Sequence, residues 1–230
     1  MAFARAVRTE ALLIHAWPYR ETDFLVELMT EKCGRIRCHM RNSRPEAFRP
    51  FEIKVTQIKG YFTASDFRYT QALLIRHNEA RLIGLYVNEL VYRLVPTALP
   101  DESLYGSYLA TLAHLEVRIR VQAALRFFEQ RVLQLIGHAL DYRTDRDSQG
   151  IVEQQSYNFI PNSGFDINPE GRYTGRQLLS VAQADYDVAG ALTLARECQQ
   201  QQIEAILQPQ ALFSRKWSIA TPALHRETPK

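Results

Sequence analysis

Cysteine is scarce in this chain: Cys33, Cys38 and Cys198 are the only three among 230 residues. An odd number closes no disulfide framework. None of the spacings is the C-x-x-C of a structural zinc site, so a reducing cytoplasm and no metal are expected. Long apolar runs are missing too. None reaches the roughly 18 residues a membrane-spanning helix needs, and Met1–Arg8 lacks the apolar core of a secretion signal. Catalytic signatures are also absent. There is no G-x-x-x-x-G-K-[ST] phosphate loop, no G-x-G-x-x-G, no H-E-x-x-H and no G-x-S-x-G. The histidines (His15, His39, His77, His114, His138, His225) lie far apart, and His138, after an apolar helix, reads as packing or capping rather than as a ligand. These absences point away from a cofactor enzyme and toward a binding module.

What is present is ordinary globular composition, 46% hydrophobic and 23% charged, which excludes wholesale disorder. The net charge of +3 is unevenly divided. Residues 1–80 hold 13 basic and 9 acidic side chains, and residues 32–49 hold six basic ones (Lys32, Arg35, Arg37, Arg41, Arg44, Arg49) against Glu46 alone. A patch of this kind attracts a polyanion, or it is a solvated strand face.

The first 76 residues read as about five short strands: Ala6–Ile14, Phe24–Thr30, Arg35–Arg41, Phe51–Ile58 and Phe67–Ile75. The first is expected to end at Trp17-Pro18, because Pro18 has no N–H for a ladder. Gly34 suits a short hairpin loop. In the third strand Ile36, Cys38 and Met40 face one way and Arg35, Arg37, His39 and Arg41 the other, so a core on one face leaves a cationic stripe on the opposite one. Five such strands suit a barrel of the OB type, with a β-sandwich fragment as the alternative.

From residue 78 the period becomes helical. Leu82, Leu85, Tyr86, Glu89, Leu90, Arg93 and Leu94 mark one face, and Pro96 and Pro100 end that helix. Asp101 is an N-cap for a helix around Leu104–His114, and a third helix through Leu125, Phe128, Val132, Leu135 and Ile136 closes near Gly137. Residues 141–172 form a hairpin excursion, with a strand at Ser156–Ile160 and a turn at Pro161–Gly164. Thr174 and Gln177 fit a capping box, and Val188–Leu207 is the last helix. The fold class is therefore mixed β and α, an N-terminal five-stranded OB-type barrel followed by an α-helical domain. The domains are expected at 1–78 and 79–217, with a loose tail at 218–230.

Aromatic rings are interleaved with the basic run. Phe51 and Phe67 sit in strand register and read as barrel filling, whereas Phe48 and Tyr61 lie in apparent loops and are candidates for stacking on bases. The nucleic-acid site expected from these features is Arg35, Arg37, Arg41, Arg44, Arg49, Phe48 and Tyr61.

Several segments resemble one family. Ala11–Asp23 and Thr30–Arg37 are similar to the opening of the bacterial recombination mediator RecO. Leu85–Leu90 resembles its Y-x-N-E-L helix and Leu125–Glu129, running to His138, its L-R-x-F-E helix; Gly175–Leu178 and Leu212–Arg215 match its C-terminal part. The likeness spans roughly residues 5–217 in order. It implies an OB barrel ahead of a helical domain and a non-enzymatic role without cofactor. It also implies binding of single- and double-stranded DNA, annealing of complementary strands, and action with RecR on DNA coated by the single-strand binding protein SSB so that RecA loads. A cytoplasmic, nucleoid-associated protein follows from that role. Arg126 occupies the motif position for gripping the carboxylate-ended SSB tail, with Leu125 and Phe127 as pocket wall; the competing reading pairs Arg126 with Glu129 or Glu89. Two departures stand out. Residues 141–172 carry none of the four zinc cysteines of many relatives, and the basic loop Met40–Arg49 is shorter and lacks a Lys-Gly. Outside this family, an OB-fold RNA-binding or ribosome-associated protein fits the same patch, as does an enzyme whose site forms only in space.

Overall fold

The computed structural model describes residues 5–210 and 212–214. The chain separates into two compact units, one running to Ile119 and taken up again at Phe213, the other Arg120–Leu212. Arg215 and the tail expected at 218–230 lie outside the described residues.

In the first unit, β1 (Arg5–Tyr19), β2 (Asp23–Thr30), β3 (Gly34–Met40), β4 (Phe51–Ile58) and β5 (Tyr61–Tyr69) close into a barrel in the order β1-β2-β3-β5-β4. This is the expected OB-type arrangement, closed by a short parallel pairing, Cys38↔Phe62 and His39↔Thr63. Ala11, Leu13, Val26, Leu28, Ile36, Cys38, Met40, Phe51, Ile53 and Val55 fill the interior. Burial pushes the Cys38 thiol up to about 12.

Two strand boundaries differ from the sequence reading. The fifth strand is Tyr61–Tyr69, not Phe67–Ile75, because Lys59 (φ 49°) and Gly60 (φ 85°) both take the left-handed conformation of a tight two-residue hairpin and return the chain at once, pairing Ile58 with Tyr61. The first strand runs through Pro18 to Tyr19. Its pairing with β4 ends at Ala11, so beyond that point only the β2 side carries a ladder, and a proline without N–H is tolerated on the open side.

α1 (Asn78–Leu94) and α2 (Glu102–Val117) belong to the same unit. Asp101 caps α2 as expected, its carboxylate accepting from the Leu104 N–H at 2.7 Å. Ala80, Gly84, Val87, Val91 and Leu94 are the deeply buried stripe of α1; Leu82, Leu85, Tyr86 and Glu89 lie half-buried beside it. At Gly84 a Cβ would stand 2.8 Å from the Phe48 ring, so only glycine lets helix and ring approach this closely.

Polar bonds tie these helices to the barrel. β1 bulges between Leu13 and His15. The Asn88 side-chain amide donates to the Leu13 and Ile14 carbonyls at 3.3 and 3.4 Å, and the Tyr108 hydroxyl donates to the Asn88 oxygen at 2.6 Å. Tyr105 donates to Glu10 at 3.1 Å. Strands give way to helix at Asn78, near the expected boundary, but these bonds hold α1 and α2 in the barrel's compact unit.

The second unit holds α3 (Val121–Leu135), a small sheet of β6 (Ser156–Ile160), β7 (Gly164–Ile167) and β8 (Tyr173–Thr174), then α4 (Gly175–Ala182) and α5 (Ala191–Leu207). The capping box at Thr174 and Gln177 forms. The hairpin excursion packs on aromatic rings: Phe165 lies 5.5 Å from Tyr142 and 5.3 Å from Phe159, and Tyr157 and Tyr173 are buried with them. Among the described residues, no helix is long and apolar enough to cross a membrane.

Candidate nucleic-acid interface

The outward face of β3 carries Arg35, Arg37 and His39, as its alternation requires. β2 runs antiparallel beside it and places Glu27 opposite Arg37, while β1 places His15 opposite Glu27 from the other side. Glu27 is therefore the centre of a three-strand row. It is fully buried, and it binds both arginines: Arg37 Nε donates to it at 2.6 Å and an Arg35 terminal nitrogen at 3.2 Å. Arg35 is mostly covered, its side chain 13% exposed, but Arg37 stays half in solvent at 50%. The hydrogen bond to Glu27 is the main reason the Arg37 guanidinium holds its proton more firmly than usual.

Aromatic rings surround this pair. Trp17 and Tyr92 lie 5.8 Å apart, and His15 packs edge-on to Trp17 at 4.3 Å. The Arg37 guanidinium sits over Trp17 at 5.3 Å and that of Arg35 over Tyr92 at 5.8 Å. Burial lowers the His15 pKa, with Glu27 opposing and Arg44 assisting, so the ring is neutral near pH 7. Farther along, His39 meets Asp23 at 2.7 Å and Tyr19 at a ring distance of 5.6 Å. Desolvation works to raise the Asp23 pKa, but the His39 contact and the Asn42 N–H outweigh it and the carboxyl titrates low.

The other expected nucleic-acid residues divide. Arg41 and Arg44 are exposed on the loop after β3. Tyr61, at the start of β5, is 78% exposed on the outward side, one residue before the Cys38↔Phe62 pairing. Arg49 instead spans the loop: it covers the Tyr69 ring at 4.0 Å and donates to the Gln71 carbonyl at 3.2 Å and to Glu46 at 3.4 Å. Phe48 is a correction. It is 1% exposed, wedged against Gly84, and cannot stack on a base. Its neighbours in sequence suggest a loop tip; its φ of 62° turns the ring inward.

Arg126 also differs from the tail-gripping role considered for it. It is 2% exposed and donates to the fully buried Glu129 at 2.6 Å, the structural pairing. Phe127 is 58% exposed, and Leu125 is buried. Arg126 is thus turned into the interior of its unit, with Leu125, while Phe127 faces solvent.

Sequence reasoning missed Glu27, Trp17, Tyr92 and His15 as parts of this face. Glu27 did leave a signal: it is the one charge inside the apolar run Phe24–Met29. A charge at a position buried on both sides needs partners, and the β3 arginines are the nearest candidates.

The architecture is that of an OB-barrel protein with a cationic, aromatic outer face and a helical continuation. The comparisons with known proteins narrow it further. The family described as recombination protein O, N terminal, matches residues 1–72, and its C-terminal counterpart matches residues 79–203. The chain belongs to the RecO family. It is 32% identical over 226 residues to the DNA repair protein RecO of Pseudomonas aeruginosa, covering 94% of this chain and 95% of that one. The DNA repair protein RecO of Stutzerimonas stutzeri is 31% identical over 221 residues (92% and 93%), and that of Idiomarina loihiensis 30% over 222 (90% and 95%).

Proposed function

We propose that this protein is a DNA repair and recombination mediator that binds single- and double-stranded DNA, anneals complementary strands and, with RecR, helps load RecA onto SSB-coated DNA. The observation that supports this reading most is the outward β3 face, with Arg37, Arg41, Arg44 and Tyr61 accessible together, in a chain of the RecO family. Exposed arginines neutralise phosphates and release counterions, so affinity falls steeply with salt. Annealing needs two polyanions brought together, and a basic surface lowers their repulsion without making or breaking a covalent bond. The activity is therefore one of binding, exercised at the nucleoid in the cytoplasm. The burial of Arg126, its side chain 3% exposed with one terminal nitrogen donating to Glu129, disfavours it as the grip on the acidic SSB tail.

The test is annealing of two complementary oligonucleotides, each coated with SSB, with and without the SSB C-terminal tail. Acceleration in low salt supports the mediator reading, and its dependence on the tail establishes the SSB contact. No acceleration, with RNA outcompeting DNA of equal length, moves the assignment to RNA binding.

A further inference from the structure

Phosphate binding needs cations, yet the centre of this face is an indole. Trp17 is held there by more than its own strand. The bulge between Leu13 and His15 re-aims the end of β1, and the two carbonyls at the bulge, Leu13 and Ile14, are satisfied by the buried Asn88 amide. Tyr92, one helical turn beyond Asn88 on α1, supports the ring at 5.8 Å. A buried polar network thus fixes a large ring at a partly exposed position, within 5.3 Å of an arginine that is itself 50% exposed.

We propose that Trp17 is the base-stacking platform of this face and the residue that makes it favour single strands over duplex. The inference rests on reading the β3 face as the DNA interface. A stacked base needs an unpaired ring face, which a duplex does not offer, whereas phosphates are offered by both forms. Arg37 can remain anchored to Glu27 through Nε while its outer edge turns from the indole to the phosphate of the nucleotide that stacks. Tyr61, exposed on the same outward side, offers a ring for a neighbouring base.

The experiment measures binding of a fluorescent oligo(dT) and of a duplex of equal length by anisotropy, for the full chain and for Trp17→Ala, Trp17→Phe and Arg37→Glu. Trp17→Ala is expected to weaken oligo(dT) binding about tenfold, the factor that ~1.4 kcal/mol represents, and to leave duplex binding within about twofold. Trp17→Phe is expected to restore most of the loss. Arg37→Glu weakens both. Equal loss on both DNA forms, or no loss on either, overturns the stacking role; if Arg37→Glu still weakens both, the face remains the DNA interface, and if it weakens neither, that reading falls as well. Should Trp17→Ala fail to unfold cooperatively, a Trp217→Phe chain leaves Trp17 as its sole tryptophan. Quenching of its emission by oligo(dT) but not by duplex supports stacking, and unchanged emission at saturation refutes it.

Discussion

Glu27 gives the sharpest test of how the β3 face works. Replacing it with Gln keeps the shape and removes one buried negative charge. Removing one partner of a buried ion pair typically costs about 3–5 kcal/mol, because the other charge is left without compensation. Two features lower the expectation here. Gln retains an oxygen that can accept from Arg37 Nε, and Arg37 is already 50% exposed, so water can solvate it. Arg35 is the group left stranded: it is 13% exposed, and its Nε is buried without a hydrogen-bond partner. The expected loss is therefore about 2 kcal/mol, read by urea unfolding.

DNA binding should move in the opposite direction. Arg35, Arg37 and Glu27 together carry one net positive charge, and the substitution makes it two. Affinity for single-stranded DNA should rise, and the slope of log K against log salt should steepen by up to ~0.7. Anisotropy titrations at several salt concentrations read both quantities. A Glu27→Gln protein that is folded yet binds more weakly at every salt refutes this reasoning, since it would mean that orienting the arginines matters more than screening them.

Other outcomes follow from the same structure. Asn88→Ala removes the donor to the Leu13 and Ile14 carbonyls and the acceptor of the Tyr108 hydroxyl bond, and should cost about 2–4 kcal/mol in urea unfolding; a loss under about 1 kcal/mol would show that water replaces the amide. Phe48→Ala should destabilise by about 3–5 kcal/mol and leave the affinity of the folded fraction for oligo(dT) unchanged, whereas Tyr61→Ala, on an exposed ring, should leave the unfolding midpoint in place and weaken oligo(dT) binding. The Arg76 backbone N–H and then its guanidinium hold the Glu116 pKa below the usual value of 4.5; this linkage stabilises the fold above that value and is lost as pH falls through the depressed one, so Glu116→Gln should flatten the acid limb of a stability-versus-pH curve measured at constant salt. Joint replacement of Arg126 by Met and Glu129 by Leu should cost far less than either replacement alone, which a double-mutant cycle on thermal unfolding reads.

What could be read in advance, and what could not, follows the range of the interaction. The β3 alternation and the Asp101 and Thr174 caps are local patterns, and the structure carries them as expected. The Lys59-Gly60 turn is local as well, but its signal is weaker than the Asn-Gly of a strong hairpin, and overlooking it displaced β5 by six residues. The face itself depends on long-range placement. Trp17 and Tyr92 meet where a bulge in one element is satisfied by an asparagine in another, 75 residues later. Phe48 shows the reverse error: a ring in the proline-flanked segment Pro45–Pro50 looks like a loop tip until a glycine on a distant helix leaves room for it.

The two buried ion pairs show why residue type alone does not identify a binding arginine. Arg37 and Arg126 each donate to a fully buried glutamate at 2.6 Å. The difference is exposure, 50% of the side chain against 3%. The Arg126 Nε and its other terminal nitrogen are buried without a hydrogen-bond partner, and water does not reach them, so a partner's carboxylate would itself have to be buried to meet them. Arg37 needs no such burial of its ligand, because Nε can stay on Glu27 while its solvent-facing edge meets a phosphate. The glutamate then acts as an anchor that limits how far the guanidinium moves, which lowers the entropy lost when DNA binds. A cationic residue paired to a buried carboxylate is thus available to a polyanion when water reaches the edge its internal partner leaves open.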